Sequence, residues 1–247
     1  MDSIQAQFCT LLQSHAIEVS EEQLNQFERY YEVLVEWNEK MNLTGITERD
    51  QVYIKHFYDS VSLAFHVPMG EIGSLADIGS GAGFPGIPLK ICYPHLQLTI
   101  VDSLNKRIQF LQHVVNELGL SQVRLLHGRA EDLGRQEELR DAFDLVTARA
   151  VARMAILNEF CLPFAKPKGL FVAMKGSNPE DEVKEAARSL SELKGKWIST
   201  PEFSLPLDHS ERHLVIIQKR LLRLRNILEK RERRPRRLWY KDSFAPP

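Results

Sequence analysis

Between Asp77 and Gly86 the chain reads Asp77-Ile78-Gly79-Ser80-Gly81-Ala82-Gly83-Phe84-Pro85-Gly86. Glycines at alternate positions behind an acidic strand end suit a tight strand-to-helix turn. There they take positive φ and, lacking a Cβ, let a ligand lie against the backbone. About twenty residues on, Leu96-Gln97-Leu98-Thr99-Ile100-Val101 alternates, turns fully apolar and ends on Asp102. A carboxylate at the end of a second parallel strand can accept both hydroxyls of a ribose. Its alternative work is to cap a helix beginning near Ser103. A third apolar run, Val123-Arg124-Leu125-Leu126-His127, precedes Gly128-Arg129-Ala130-Glu131-Asp132. A small residue and an acid at that turn can flank an adenine and hydrogen-bond its exocyclic amine.

Two registers fit the glycine run. Gly81-x-Gly83-x-x-Gly86 is the dinucleotide fingerprint, and Asp77-x-Gly79-x-Gly81-x-Gly83 is the first motif of S-adenosylmethionine-dependent methyltransferases. Either needs a sheet behind it. Phe143-Asp144-Leu145-Val146-Thr147 and Leu170-Phe171-Val172-Ala173-Met174-Lys175 are further short apolar runs suited to buried parallel strands. Helical stretches separate them, with one starting at Ile87, so the pattern is repeated βα. The expected fold is α/β and Rossmann-like: a mostly parallel twisted sheet over residues 71–218, with flanking helices. Residues 1–70 read as a helical extension packed on that core. In it Leu24, Phe27, Tyr31, Leu34 and Val35 recur at helical spacing behind a capped start at Ser20. Lys40-Met41-Asn42-Leu43-Thr44-Gly45 breaks that helix, and Ile54–Ser60 begins another.

With 247 residues, 43% of them hydrophobic and 26% charged, the chain can bury one sizeable core. Cys9, Cys92 and Cys161 are far apart, with no CxxC and no nearby histidine pair, so neither a disulfide framework nor a metal site is expected. Without an 18-residue apolar stretch or a basic leader, a soluble, cytoplasmic protein is expected, with no membrane partner. The net charge of −1 hides an asymmetry: from Lys219 to Pro247 eleven basic residues face three acidic ones. Ending in Arg236-Arg237-Leu238-Trp239-Tyr240-Lys241, this tail (219–247) suits phosphate contact with aromatic stacking, or else plain solvation.

Longer blocks narrow the choice. Trp37-Asn38-x-x-x-Asn42-Leu43-Thr44, His56-Phe57-x-Asp59-Ser60, the glycine run with Phe84-Pro85-Gly86, and Val101-Asp102-Ser103-x-x-Lys106-Arg107 occur in that order. Thr147-Ala148-Arg149-Ala150 and Glu211-Arg212-His213-Leu214-Val215-Ile216 follow. Over residues 1–218 the series resembles the bacterial small-subunit ribosomal RNA methyltransferase G family, also called the glucose-inhibited division protein B family. The resemblance implies a class I methyltransferase using S-adenosylmethionine on N7 of one guanine in 16S ribosomal RNA, within the small subunit or an assembly intermediate. It implies cofactor contacts from Gly79, Ser80, Gly81, Gly83 and Phe84 around the methionine and Asp102 on the ribose. Ala130 and Glu131 would border the adenine. Arg149, just past the fourth strand, would hold the cofactor carboxylate or the guanine. Asn42, His56, Lys175 and Arg212 match the family's polar positions and are candidates for placing the guanine and its phosphates. No residue is expected as a general base, because guanine N7 carries a lone pair and no proton. The chain also lacks an Asn-Pro-Pro-Tyr-like block for an exocyclic amine and a Pro-Cys for attack on a pyrimidine.

Overall fold

The computed structural model describes residues 1–176 and 179–220. In chain order the first half holds α1 (Ser3–Gln13), α2 (Glu21–Met41), α3 (Arg49–Val52), α4 (Asp59–Val61), β1 (Ser74–Ile78), α5 (Gly86–Cys92), β2 (Gln97–Asp102) and α6 (Asn105–Glu117). The second half holds β3 (Val123–His127), α7 (Ala130–Leu133), β4 (Phe143–Arg149), α8 (Met154–Cys161), β5 (Ala165–Lys175), α9 (Glu180–Glu185), α10 (Ala187–Glu192), β6 (Gly195–Ser199), β7 (Glu202–Ser204) and β8 (Glu211–Lys219). A wide π-type turn, Tyr53–Tyr58, joins α3 to α4.

The first five strands pair in parallel in the order β3-β2-β1-β4-β5, with Leu75 opposite both Leu98 and Leu145. β8 then runs antiparallel to β5 and carries β6 and β7 on its other side. Because side chains alternate along a strand, Leu98, Leu145, Val172 and Ile216 pack on one face, and Val101, Val146, Phe171 and Ile217 on the other. Both faces are covered, which is why the strands read as nearly continuous apolar runs. The first face shares its core with Phe8, Phe27, Tyr30 and Tyr53 from the N-terminal helices, and the second packs on α8.

Boundaries moved where polar residues or glycine sit inside strands. β5 begins five residues before Leu170, because Lys166-Pro167-Lys168-Gly169 looks like a turn yet follows a strand start at Ala165 paired with Phe143. β4 runs on to Arg149, which is its last residue rather than the first beyond it. In α2 the Ser20–Gln23 capping box forms, and Asn42 ends the helix at φ +48°. Its buried stripe is Leu24, Phe27, Tyr30, Val33 and Leu34. The expected face was thus turned by one residue at Tyr31 and Val35, which are only half-buried. Packing against the aromatic residues Phe57 and Phe84 decides this in favour of Tyr30, while the Tyr31 hydroxyl reaches out to the Thr47 carbonyl. All three cysteines are free thiols. Among the described residues no helix is long and apolar enough to cross a membrane. From residue 221 onward the basic tail lies outside the described residues.

Candidate functional site

The strand order reverses between β1 and β4, and open parallel sheets bind ligands over the carboxyl ends of the strands at such a reversal. The glycine turn leaves β1 there. Asp77 is fully buried, and its Oδ2 accepts from the Ser80 hydroxyl at 2.6 Å and the Gly86 N–H at 2.7 Å. Burial pushes its pKa up to about 6, against the pull of those two hydrogen bonds. Its Oδ1 has no partner among the described residues. Gly81 sits at φ +63° with open space where a side chain would begin, and its N–H donates to Asp102 Oδ2 at 3.0 Å. Gly83 takes φ +101°, and a Cβ there would lie 2.5 Å from the Tyr30 hydroxyl oxygen. That hydroxyl donates to the Ala82 carbonyl, so α2 braces the turn from below.

Asp102 takes up the helix-leading role and also steadies the glycine turn. Oδ1 accepts from the Leu104 N–H at 2.9 Å, leading the chain into α6, and Oδ2 ties down Gly81. A carboxylate offers about four lone-pair sites, so capacity for a ribose remains. Beside it opens a cleft lined by Gly79, Asp102, Gly128, Ala130, Glu131 and Val151. Val151 leans over Gly79, whose Cβ position is 2.8 Å from the valine Cγ2.

On the other side of the turn, residues far apart in sequence converge. Phe84 is buried, with the His56 ring stacked on it at 4.7 Å and the Arg149 guanidinium carbon 4.9 Å from its centroid. It therefore lies toward the N-terminal segment rather than along the cleft. His56 Nε2 meets the Thr44 hydroxyl at 2.8 Å, and its Nδ1 faces the Lys55 carbonyl at 3.1 Å. A carbonyl only accepts, so a neutral imidazole here carries its proton on Nδ1 and takes the Thr44 hydroxyl proton at Nε2. Burial first, and then the Arg149 charge, hold its pKa down at about 4. Arg149 Nη1 bonds Asp59 Oδ2 at 2.9 Å, and Arg212 Nε bonds Asp59 Oδ1 at the same distance. Lys55 pairs with Asp208 at 2.9 Å, which, with the Ser210 N–H, holds that carboxyl well below the usual range.

Of the residues named from the sequence, Gly79, Asp102, Ala130 and Glu131 line one cleft, and His56, Phe84, Arg149 and Arg212 gather beside it. Lys175 stands apart on the opposite face of the sheet. It pairs with Glu182 at 2.7 Å and donates to the Ala152 carbonyl, so it anchors the segment after β4. Asn42 is exposed, and its side chain makes no hydrogen bond among the described residues. His213 lies on β8 between β5 and β7, buried, with Nδ1 unpartnered among the described residues. Sequence reasoning passed over Tyr30, Thr44 and Asp59 as site residues. Thr44 and Asp59 stood inside the quoted blocks beside Asn42 and His56; Tyr30 gave no signal beyond its helix.

The orphaned Asp77 oxygen, the open space at Gly81 and the acid beside a small-residue cleft suit a ligand bearing an amine and a ribose. No group of three metal-ligating side chains occurs among the described residues. Two crystal structures share the fold. A mutant of MtNAS in complex with S-adenosylmethionine matches with a TM-score of 0.53 at 14% identity, over 79% of this chain and 72% of that one. The cyclase SpnF matches with 0.52 at 13% identity, over 66% of this chain and 80% of that one. Relatives by sequence are far nearer. The ribosomal RNA small subunit methyltransferase G of Geobacillus sp. (strain WCH70) is 51% identical over 93% of this chain and 95% of that protein. Its namesake from Geobacillus kaustophilus (strain HTA426) is 55% identical over 86% and 90%. The family model described as rRNA small subunit methyltransferase G matches residues 23–215. Glycine turn, flanking cation cluster and near-full-length likeness agree, and the chain belongs to the rRNA small subunit methyltransferase G family.

Proposed function

We propose that the protein methylates N7 of a specific guanine in 16S ribosomal RNA, presented in the small subunit or an assembly intermediate, in the cytoplasm. What supports this is the pairing, across one glycine turn, of a cleft lined by Asp102, Ala130 and Glu131 with a cationic cluster around Arg149 and Arg212. S-adenosylmethionine, bound in the cleft, supplies a methyl group already activated on a sulfonium. Gly79, Ser80, Gly81 and Gly83 would hold its methionine part with backbone groups, Asp102 its ribose, and Ala130 with Glu131 its adenine. Phe84 would close the methionine end by fixing His56 and Arg149 rather than by broad contact.

The acceptor needs no proton removed, so this chain's task is alignment. In well-oriented intramolecular models alignment is worth up to about 7–11 kcal/mol, whereas acid–base help would bring only about 10²–10⁴-fold. A neutral His56 suits that task, because a cation against N7 would oppose the charge that spreads over the purine. Arg149 and Arg212 fit guanine O6 or a phosphate, which guanidinium binds in bidentate fashion. Asn42, exposed at the end of α2, is free to reach RNA, and Lys175 serves by holding the segment after β4. Residues 1–70 act as part of the site rather than as a detachable domain, and 71–218 carry the methyltransferase fold. The basic run from 219 adds phosphate contacts.

The test is methyl transfer from labelled S-adenosylmethionine to 30S subunits lacking the modification, followed by borohydride–aniline cleavage. Cleavage at one guanine supports the reading. Label without cleavage overturns the acceptor atom, and no label on subunits, intermediates or free 16S RNA overturns the substrate.

A further inference from the structure

Asp59 is buried at 4% exposure on a short helix of the N-terminal segment, yet its carboxylate is shared by two strands of the sheet. Oδ2 takes Arg149 from the end of β4, and Oδ1 takes Arg212 from the start of β8, both at 2.9 Å. The three residues are 90 and 153 positions apart in the chain, so only the finished fold assembles them. We propose that Asp59 is the positioning residue of the methyl-transfer site, holding Arg149 and Arg212 as one rigid pair of donors against the target guanine and its phosphate. This rests on the function proposed above.

Three observations carry it. One carboxylate against two guanidinium groups leaves an excess positive charge, so the triad is not a closed structural ion pair. Neither guanidinium has all its donors used. Arg149 uses Nη1 on Asp59 and the Lys55 carbonyl, and Arg212 uses Nε on Asp59 and Nη1 on the Glu211 carbonyl. Among the described residues, Arg149 Nε and Nη2 and Arg212 Nη2 therefore have no hydrogen-bond partner. Finally, the Arg149 guanidinium also lies against Phe84 of the glycine turn, so its direction is set from two sides, beside the cofactor cleft. A planar fork held by some of its donors presents the remaining ones in a fixed plane, as recognition of guanine or phosphate requires.

Asp59→Asn keeps the volume and removes the charge. In the full chain, acting on 30S subunits that lack the methyl group, it should lower kcat about 100-fold, the scale of a misplacement near 1 Å. The KM for subunits should stay level or fall and become more salt-sensitive, since the cluster gains one unopposed charge. S-adenosylmethionine affinity by calorimetry should be unchanged. Asp59→Glu should not restore kcat, because the longer arm displaces both guanidiniums. A merely structural role predicts the reverse pattern: weaker cofactor binding, raised KM and rescue at lower temperature. That result, or a kcat within threefold of wild type, overturns the proposal.

If the single variant does not fold, Asp59→Asn with Arg212→Gln removes a charge of each sign together. It should lose more kcat than Arg212→Gln alone, because Arg149 is then unheld as well, with S-adenosylmethionine affinity unchanged. A kcat equal to that of Arg212→Gln alone would overturn the assignment. Inactive wild-type protein would instead sink the functional reading, and the proposal with it.

Discussion

The two sides of the glycine turn are built from different materials. Toward the cleft the contacts are main chain: the Gly79 N–H donates to the Val101 carbonyl, the Gly83 N–H to the Ser80 carbonyl, and the Gly81 N–H to Asp102, twenty-one residues on. Toward the N-terminal segment they are side chains: Thr44, His56, Asp59, Arg149 and Arg212, drawn from three remote parts of the chain. A backbone site tolerates little change in the turn itself, because any Cβ alters its shape. A side-chain site tolerates a substitution sterically but loses direction when one member of the network goes.

The sharpest break of the first side is Gly81→Val. Nothing occupies its Cβ position now, so the folded core should survive, while a β-branched residue at φ +63° both strains the turn and fills the ligand's space. Affinity for S-adenosylmethionine should fall about 10³-fold by calorimetry, equivalent to about 4 kcal/mol. Unchanged affinity would show that the ligand does not lie on this turn.

The second side can be broken with pH. His56, pushed down to about 4 from an ordinary 6.5, leaves the unfolded chain binding more protons, so its stability contribution is full above pH 6.5 and lost as pH falls toward 4. Asp77, raised to about 6, acts with the opposite sign: the folded form is favoured as pH falls from 6 to 3.8. In the wild type the two partly cancel. His56→Gln should unmask Asp77, making denaturant stability relative to wild type improve by about 2–3 kcal/mol between pH 7 and pH 4. A difference that does not change with pH would mean that His56 is not held neutral.

A smaller effect is expected at Asp102. Asp102→Asn keeps one oxygen, so it can accept from the Gly81 or the Leu104 N–H but not both; it should cost about tenfold in cofactor affinity, the worth of a charged hydrogen bond, and about 1 kcal/mol of stability. The smallest change is expected from Tyr30→Phe. It leaves the Ala82 carbonyl without its buried donor, and about 1 kcal/mol of stability should go, some 2–4 °C in Tm. A large loss of cofactor binding in that variant would mean that α2 belongs to the cofactor side after all.

The same contrast explains what could be read from the residues alone. Gly79–Gly86, Asp102 and Ala130 lie at strand ends whose apolar runs announce themselves, and turn geometry is local, so that side was legible with its elements. Strand β3 was legible to the residue, Val123–His127. Asp59 was quoted inside a block but could not be assigned, because its partners are 90 and 153 residues away and no periodicity links them. Lys175 was placed with the acceptor residues because it matches a polar position of the family. Alternation along β5 turns it instead to the face where Glu182 waits, and only register decides that. Tyr30 against Tyr31 was a choice of helix face, decided by what α2 packs on.

The antiparallel strand β8 measures the molecule. Arg212 sits at its acceptor-side end and Arg220 follows its other end, whose N–H donates to the Lys194 carbonyl. Eight residue steps of extended chain separate them by roughly 27 Å. The basic run proposed to touch phosphates therefore starts about one sheet-height from Arg212, so its contacts would fall on RNA well away from the target guanine. Cutting after Gln218 would remove more than RNA contacts, because Lys219 is held by Asp141 and the Leu162 carbonyl and closes the strand.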